Sequence, residues 1–237
     1  MKKTKIFTLM LCTVLLSVGT VLGTLAYLTS RDSVTNTFTV GKVKIELHET
    51  KTDENGNPVY DESACPAEGC TEDQVLHTTE GNNYHVVPGE TYLKDPTVTV
   101  KADSEASYVR MVMTVHNASA VQAIIDADNN LTDYADLFAG WDTEAWVYTG
   151  FVTDAEANTI SFEFRYKEEV AGAAQDTELP ALFTELVVPG SVTNEQLEAL
   201  YNGQFKVVVE AHAIQSATFA DADAAWEAFD AQTGASN

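Results

Sequence analysis

Basic residues are scarce in this chain. Its 237 residues carry 13 Lys and Arg against 36 Asp and Glu, a formal charge of −23 at pH 7. So acidic a surface repels nucleic acid and anionic membrane, and neither is an expected partner. It favours solubility and attracts divalent cations or basic partners. Cysteine is scarce too. Cys12 lies in a greasy N-terminal run, with too little apolar sequence before it for a lipoprotein signal, and Cys65 and Cys70 are the remaining two. Catalytic signatures are missing: His48-Glu49 is followed by Thr-Lys-Thr, so there is no HExxH, and neither GxSxG nor a P-loop occurs. His77 and His85 match no familiar ligand spacing, and Cys65 has no histidine partner in its neighbourhood. His116 and His212 fall on the outward phase of strand patterns, where a solvated or edge histidine is expected. The chain also lacks an LPxTG-like motif, a second long apolar run, an internal repeat and a low-complexity linker.

The apolar run that is present stands at the start. Lys2, Lys3 and Lys5 form a basic lead-in, and no charge follows from Ile6 to Ala26, about twenty residues, which is signal-peptide-like and just long enough to span a membrane. Ser17, Gly19, Thr20, Gly23 and Thr24 dilute its second half, and Thr24-Leu25-Ala26 offers a small residue at a cleavage point. The expectation is a signal peptide over 1–26, cut between Ala26 and Tyr27, with an uncleaved anchor as the alternative. Cleavage removes three lysines and makes the chain more acidic still.

Strand patterns dominate the rest of the chain. In YVRMVMTVH, Val109, Met111, Met113 and Val115 alternate with Tyr108, Arg110, Val112 and Thr114. SFEFRYK sets Phe162, Phe164 and Tyr166 on one face, and GQFKVVVEAHAIQ does the same with Phe205, Val207, Val209, Ala211 and Ala213. Such alternation predicts antiparallel strands with one face in a core and one in water. DPTVTVKA and EAWVYTGFV read as further strands. Near the start, Val34, Phe38 and Val40 are in one phase and Val43, Ile45 and Leu47 in the other, with Gly41 at the break. Helix signals are few: TNEQLEALY with a Thr193–Gln196 capping box, DADAAWEAFDA with Ala222, Trp226 and Phe229 on one face, and a short NLTDYADLF with Leu131, Tyr134, Leu137 and Phe138 inward. The fold class expected is mainly β: an antiparallel β-sandwich over 27–237 with a few short helices, and a long surface loop or insert over 51–88.

That insert holds both remaining cysteines. In CPAEGC a disulfide between Cys65 and Cys70 is expected in an oxidising compartment, with free thiols and a metal site as the alternatives. It also holds DENGNP, whose Asp53, Asn55 and Asn57 are spaced like the start of an EF-hand. Pro58 then stands where that loop needs glycine and Ala64 where it needs a bidentate Glu, so a turn is expected. Calcium is the only cofactor the sequence raises, and weakly.

Taken together, the greasy segment ending in Ala26, the stretch AYLTSRDSVTNTFTVGKVKIEL, and the later VVPGETYLKDPTVTVKADSEASYVRM and VEAHAIQSATFADADAAWEAF resemble the TasA and camelysin-like family. These are secreted proteins of Gram-positive bacteria processed by the signal peptidase SipW, and the two later stretches look like the clostridial branch. The resemblance implies a jelly-roll-like sandwich, secreted to the extracellular matrix or cell surface, that builds biofilm-matrix fibres. It implies that Tyr27 to Val40 is donated to a sheet of the next subunit, with Val34, Phe38 and Val40 as anchors. The partners implied are further copies of the chain, head to tail, SipW during export, and other matrix proteins as an additional candidate. No catalytic site is expected. The alternatives are a camelysin-type metalloprotease, for which the sequence shows no zinc motif, and a monomeric surface binding module.

Overall fold

A computed structural model describes residues 29–33, 38–39, 43–66 and 68–233. In chain order, β1 (Thr29–Ser33) and β2 (Phe38–Thr39) lead to β3 (Ile45–Thr50), and the insert contributes β4 (His77–Thr78). Then come β5 (Thr91–Leu93), β6 (Thr97–Val100), β7 (Ser107–His116), helix α1 (Ala118–Ala127) and β8 (Phe138–Ala139). They are followed by β9 (Trp146–Asp154), β10 (Thr159–Tyr166), β11 (Thr177–Glu178), β12 (Glu185–Val187), helix α2 (Asn194–Asn202), β13 (Lys206–Gln215) and helix α3 (Ala222–Thr233).

The strands form three antiparallel sheets, in the orders β2-β1-β13-β7-β10-β9, β11-β6-β3-β4 and β5-β12-β8. The fold is mainly β and sandwich-like. Alternation explains why: Val109, Met111, Met113 and Val115 of β7 are fully buried and share one core with Val43, Ile45 and Leu47 at β3 and with Val98 and Val100 of β6. The six-stranded and four-stranded sheets therefore meet through the faces that the period-two pattern marks as apolar.

The second half of β13 departs from simple alternation. Ala211 and Ala213 are buried as expected, but His212 and Ile214 are buried as well. The reason lies downstream. Helix α3 begins at an Asp221 cap, whose carboxylate accepts from the Ala224 amide at 2.9 Å. It lays Ala225, Trp226 and Phe229 against Ile214, forming a small second core on the outer face of the six-stranded sheet. A fully buried aromatic removes on the order of 200 Å² from water. At ~25 cal/mol per Å², each ring contributes roughly 5 kcal/mol before entropy is subtracted.

Of the other helices, α2 starts at the expected capping box, with the Thr193 amide donating to Gln196 Oε1 at 2.9 Å and the Gln196 amide to Thr193 Oγ1 at 3.3 Å. NLTDYADLF forms a short 3₁₀ turn over Tyr134–Leu137 and then β8, with Tyr134, Leu137 and Phe138 buried. Helix α1 has no counterpart among the expected elements. It follows β7 directly through Asn117, which takes a left-handed conformation (φ 57°). The Asn117 amide group donates to the carbonyls of Ala199 and Leu200, tying the start of α1 to the end of α2.

Candidate assembly edge

The expected functional segment runs from Tyr27 to Val40. Ala26, Tyr27, Val34, Val40 and Gly41 lie outside the described residues, as does the whole of 1–26. Of the three anchors only Phe38 falls within a described strand, β2. The sequence pattern points to a single strand here, and the structure differs. β1 and β2 are antiparallel to each other, with Ser30 opposite Thr39 and Arg31 opposite Phe38. The chain thus reverses between them, and the intervening sequence, Val-Thr-Asn-Thr, contains an Asn of the kind that favours turns.

β1 is paired to β13 of its own chain. The register runs from Thr29 opposite Ile214 to Ser33 opposite Glu210. On its other side β13 pairs along its full length with β7, from Lys206 opposite His116 to Gln215 opposite Ser107. β13 is therefore an inner strand only because β1 is there. Ser30 and Asp32 register with Ala213 and Ala211, on the row that faces the four-stranded sheet. Arg31, and through it Phe38, registers with His212, on the row beneath α3.

That second row is a buried charged network. Arg110 of β7, opposite His212, is only 3 % exposed. Its Nε donates to His212 Nδ1 at 3.2 Å, and its two terminal nitrogens donate to Asp230 of α3 at 2.6 and 3.2 Å. Glu163 of β10 accepts a further bond from Arg110 at 2.9 Å. The guanidinium also lies 4.6 Å from the centre of the Trp226 ring and 4.8 Å from that of Phe229, within cation–π range. Arg165 repeats the link at the rim, bonding Glu163 at 2.7 Å and Asp223 at 2.7 Å. His212 stacks on Phe229 at 5.0 Å between ring centres. The expectation of a solvated His212 is thus corrected: the face it points to is covered by α3. Chemically this arrangement is a clamp that holds a helix onto a sheet beside the β13 edge, since every polar atom of Arg110 meets an acceptor or a ring.

A second polar centre joins β3 to the insert. Glu49 and Lys94, 7 % and 5 % exposed, form an ion pair of 2.5 Å. Asp95 accepts from the Thr50 amide and hydroxyl at 2.8 and 2.7 Å, and Asn82 bridges Glu49, the Thr50 carbonyl and the Thr52 amide. His48 is buried, with Nε2 3.0 Å from Thr99 Oγ1 and 3.5 Å from Glu178. Burial, and then the nearby His77, hold its pKa below the usual histidine value, against a smaller opposing pull from Glu178. Burial also pushes the Tyr84 hydroxyl well above the usual tyrosine range.

The insert itself is ordered by short bridges, Thr52 with Pro58 and Tyr60 with Val75, and by pairing of β4 with the end of β3. Cys65 and Cys70 are joined by a disulfide, Cα atoms 4.6 Å apart. DENGNP is a turn: Asp53 Oδ1 accepts from the amides of Asn55 and Asn57, each at 2.9 Å, and these bonds hold its pKa low. Gly56 closes it at φ +82°, against Tyr92, where a Cβ would come within 2.9 Å of backbone. No group of three or more His, Cys, Asp or Glu residues among those described is placed to hold a metal ion. No described helix is long and apolar enough to cross a membrane. No protein-family model, curated protein or solved structure matches the chain.

Sequence reasoning passed over both polar centres. Arg110 and Lys94 are ordinary surface residues by pattern, and the signal that could have found Arg110 is the α3 motif DADAAWEAFDA, whose acids flank its aromatic face.

Proposed function

We propose that this chain is a secreted structural subunit of an extracellular biofilm-matrix fibre, assembled when the N-terminal strand of one copy takes the β1 position on β13 of the next. The observation that carries this reading is the β13 edge: a complete ten-residue strand whose second side is closed by an N-terminal strand. The β1 sequence, Thr-Ser-Arg-Asp-Ser, has no apolar residue. Its attachment rests on main-chain hydrogen bonds and register, which are the same whether the strand comes from its own chain or from a neighbour. Exchange between the two therefore costs little, and a head-to-tail exchange that does not close gives a filament. Own-chain pairing is favoured by the high effective concentration of a tethered strand, so assembly belongs to crowded conditions such as a cell surface. The resemblance to SipW-processed matrix proteins points the same way.

A cysteine pair tests it. Ser30→Cys with Ala213→Cys places thiols at opposed positions of β1 and β13. Chains starting at Tyr27 and also carrying Cys65→Ser and Cys70→Ser, so that the engineered thiols are the only ones present, are concentrated reduced, then oxidised and run on a non-reducing gel. A ladder of covalent multimers is expected. Cross-linked monomers alone would place the strand permanently in its own subunit and favour the monomeric binding module, the reading that own-chain pairing of β1 supports.

A further inference from the structure

The opposite edge of the same sheet is built differently. Among the described residues the strands that end the sheets are β2, β4, β8 and β11, of 2 residues each, β5 of 3, and β9 of 9. Short edges are the usual protection against unwanted pairing, together with edge lysines and prolines. β9 is long and carries neither lysine nor proline; the one blunting device it has is a bulge at Thr149. Its sequence, WVYTGFVTD, is uncharged until the final Asp154, in a chain that is strongly acidic. Val147, Tyr148, Phe151 and Val152 are all exposed, Phe151 at 59 % and Val152 at 52 %.

The register against β10 shows what such an edge accepts. Phe162 stands opposite Phe151, Glu163 opposite Gly150 and Phe164 opposite Tyr148, so Thr149 is the extra residue of a bulge. Because of that bulge Tyr148 and Phe151, three apart, lie on one face, continuing the ring row of Phe162 and Phe164 at 5.6 to 6.5 Å between centres. Val147 and Val152 lie on the other face, opposite Arg165 and Ser161. The row of rings stops at the edge with nothing beyond it among the described residues.

We infer that β9 pairs antiparallel with β9 of a second copy of this chain, joining two six-stranded sheets edge to edge about a two-fold axis. The strand is complementary to itself in one register, with the axis between Thr149 and Gly150. There Tyr148 opposes Phe151 of the second copy, Val147 opposes its Val152, and each pair lies on a single face. Aromatic and β-branched cross-strand pairs are the favourable ones, and no like charges meet between Trp146 and Thr153. The bulge decides the register, since without it Tyr148 and Phe151 would sit on opposite faces. A second copy is thus the occupant that brings a neutral strand with rings and valines at matching positions. This contact is isologous, whereas strand exchange at β13 is head to tail, so the first does not depend on the second.

The test uses the chain from Tyr27 carrying Ser30→Cys and Ala213→Cys, oxidised while dilute so that β1 is closed on its own β13 and exchange is blocked. Sedimentation equilibrium from about 1 µM to about 100 µM should show a monomer–dimer equilibrium. Val152→Asp and Val147→Lys should each raise the dimer Kd about tenfold or more, while circular dichroism stays that of the parent. Combining them sets opposite charges face to face across the axis and should recover most of the lost affinity. A chain that stays monomeric throughout that range overturns the inference, and so does a dimer that neither substitution weakens. A combined variant no better than its singles overturns the register.

Discussion

Two places in the six-stranded sheet put backbone hydrogen-bonding groups to different uses, the side of β13 that β1 closes and the true edge at β9. At one, β13 is backed by Arg110, His212 and helix α3 and is closed by a hydrophilic strand from the chain's own start. At the other, β9 has its rings and valines in solvent and no charge to repel a neighbour. The difference teaches where specificity comes from. A strand such as β1, with no apolar side chain, needs a rigid acceptor that fixes register, and the buried clamp supplies that rigidity. A strand such as β9 carries its register in its own side chains and needs no support beyond β10.

The largest expected effect is on the supported edge. Arg110→Ala takes from Asp230 its cation and from Glu163 one of two, the other being Arg165; because both carboxylates are about a quarter exposed, the loss in urea unfolding should be about 2–4 kcal/mol. It should also free α3, seen as faster amide exchange along Ala222–Thr233. Asp230→Asn keeps the shape and one acceptor, so a smaller loss of about 1–3 kcal/mol is expected. If both variants unfold like the parent, the clamp does not support β13.

Acid should act on the four-stranded sheet through His48. His48 has its folded pKa below the unfolded value, so the unfolded chain binds its proton first. Its contribution is fully present above pH 6.5 and is lost as pH falls through that value towards the folded pKa. His48→Gln should therefore flatten the decline in stability between about pH 7.5 and about pH 5.5 without removing it, since burial also lowers the His116 pKa. An unchanged slope, measured as urea midpoints, would exonerate His48. The smallest effect belongs to the bare edge: Val152→Asp, exposed and unsupported, should shift stability by no more than about 0.5 kcal/mol.

How much of the fold and of the edge was legible in sequence depends on which forces are local. The alternation in β7, β10 and β13 is local and marked the inner faces, down to Met111, Ala211 and Ala213. The Thr193 capping box and the apolar face of Ala222, Trp226 and Phe229 are local too, and they placed α2 and α3. Helix α1 was missed although Ala118, Val121, Ile124 and Ile125 stand at helical spacing, because it starts straight after β7 at a left-handed Asn117 that makes no side-chain cap. The fate of His212 was hidden because the helix that covers it is a separate element, and alternation says nothing of what lies over the outer face. The sequence EAWVYTGFV read as a strand, but that it ends a sheet and bulges at Thr149 depends on pairing with β10. That β1 and β2 pair antiparallel with each other also depends on contacts outside the local pattern of Tyr27 to Val40.

The central claim is that the segment before Gly41 joins one subunit to the next. Negative-stain electron microscopy of the chain starting at Tyr27, beside the chain starting at Gly41, tests it most directly. Filaments from the longer chain alone are the predicted result. Filaments of the same form from both would contradict it, because β13 would then be building the fibre with no strand to receive.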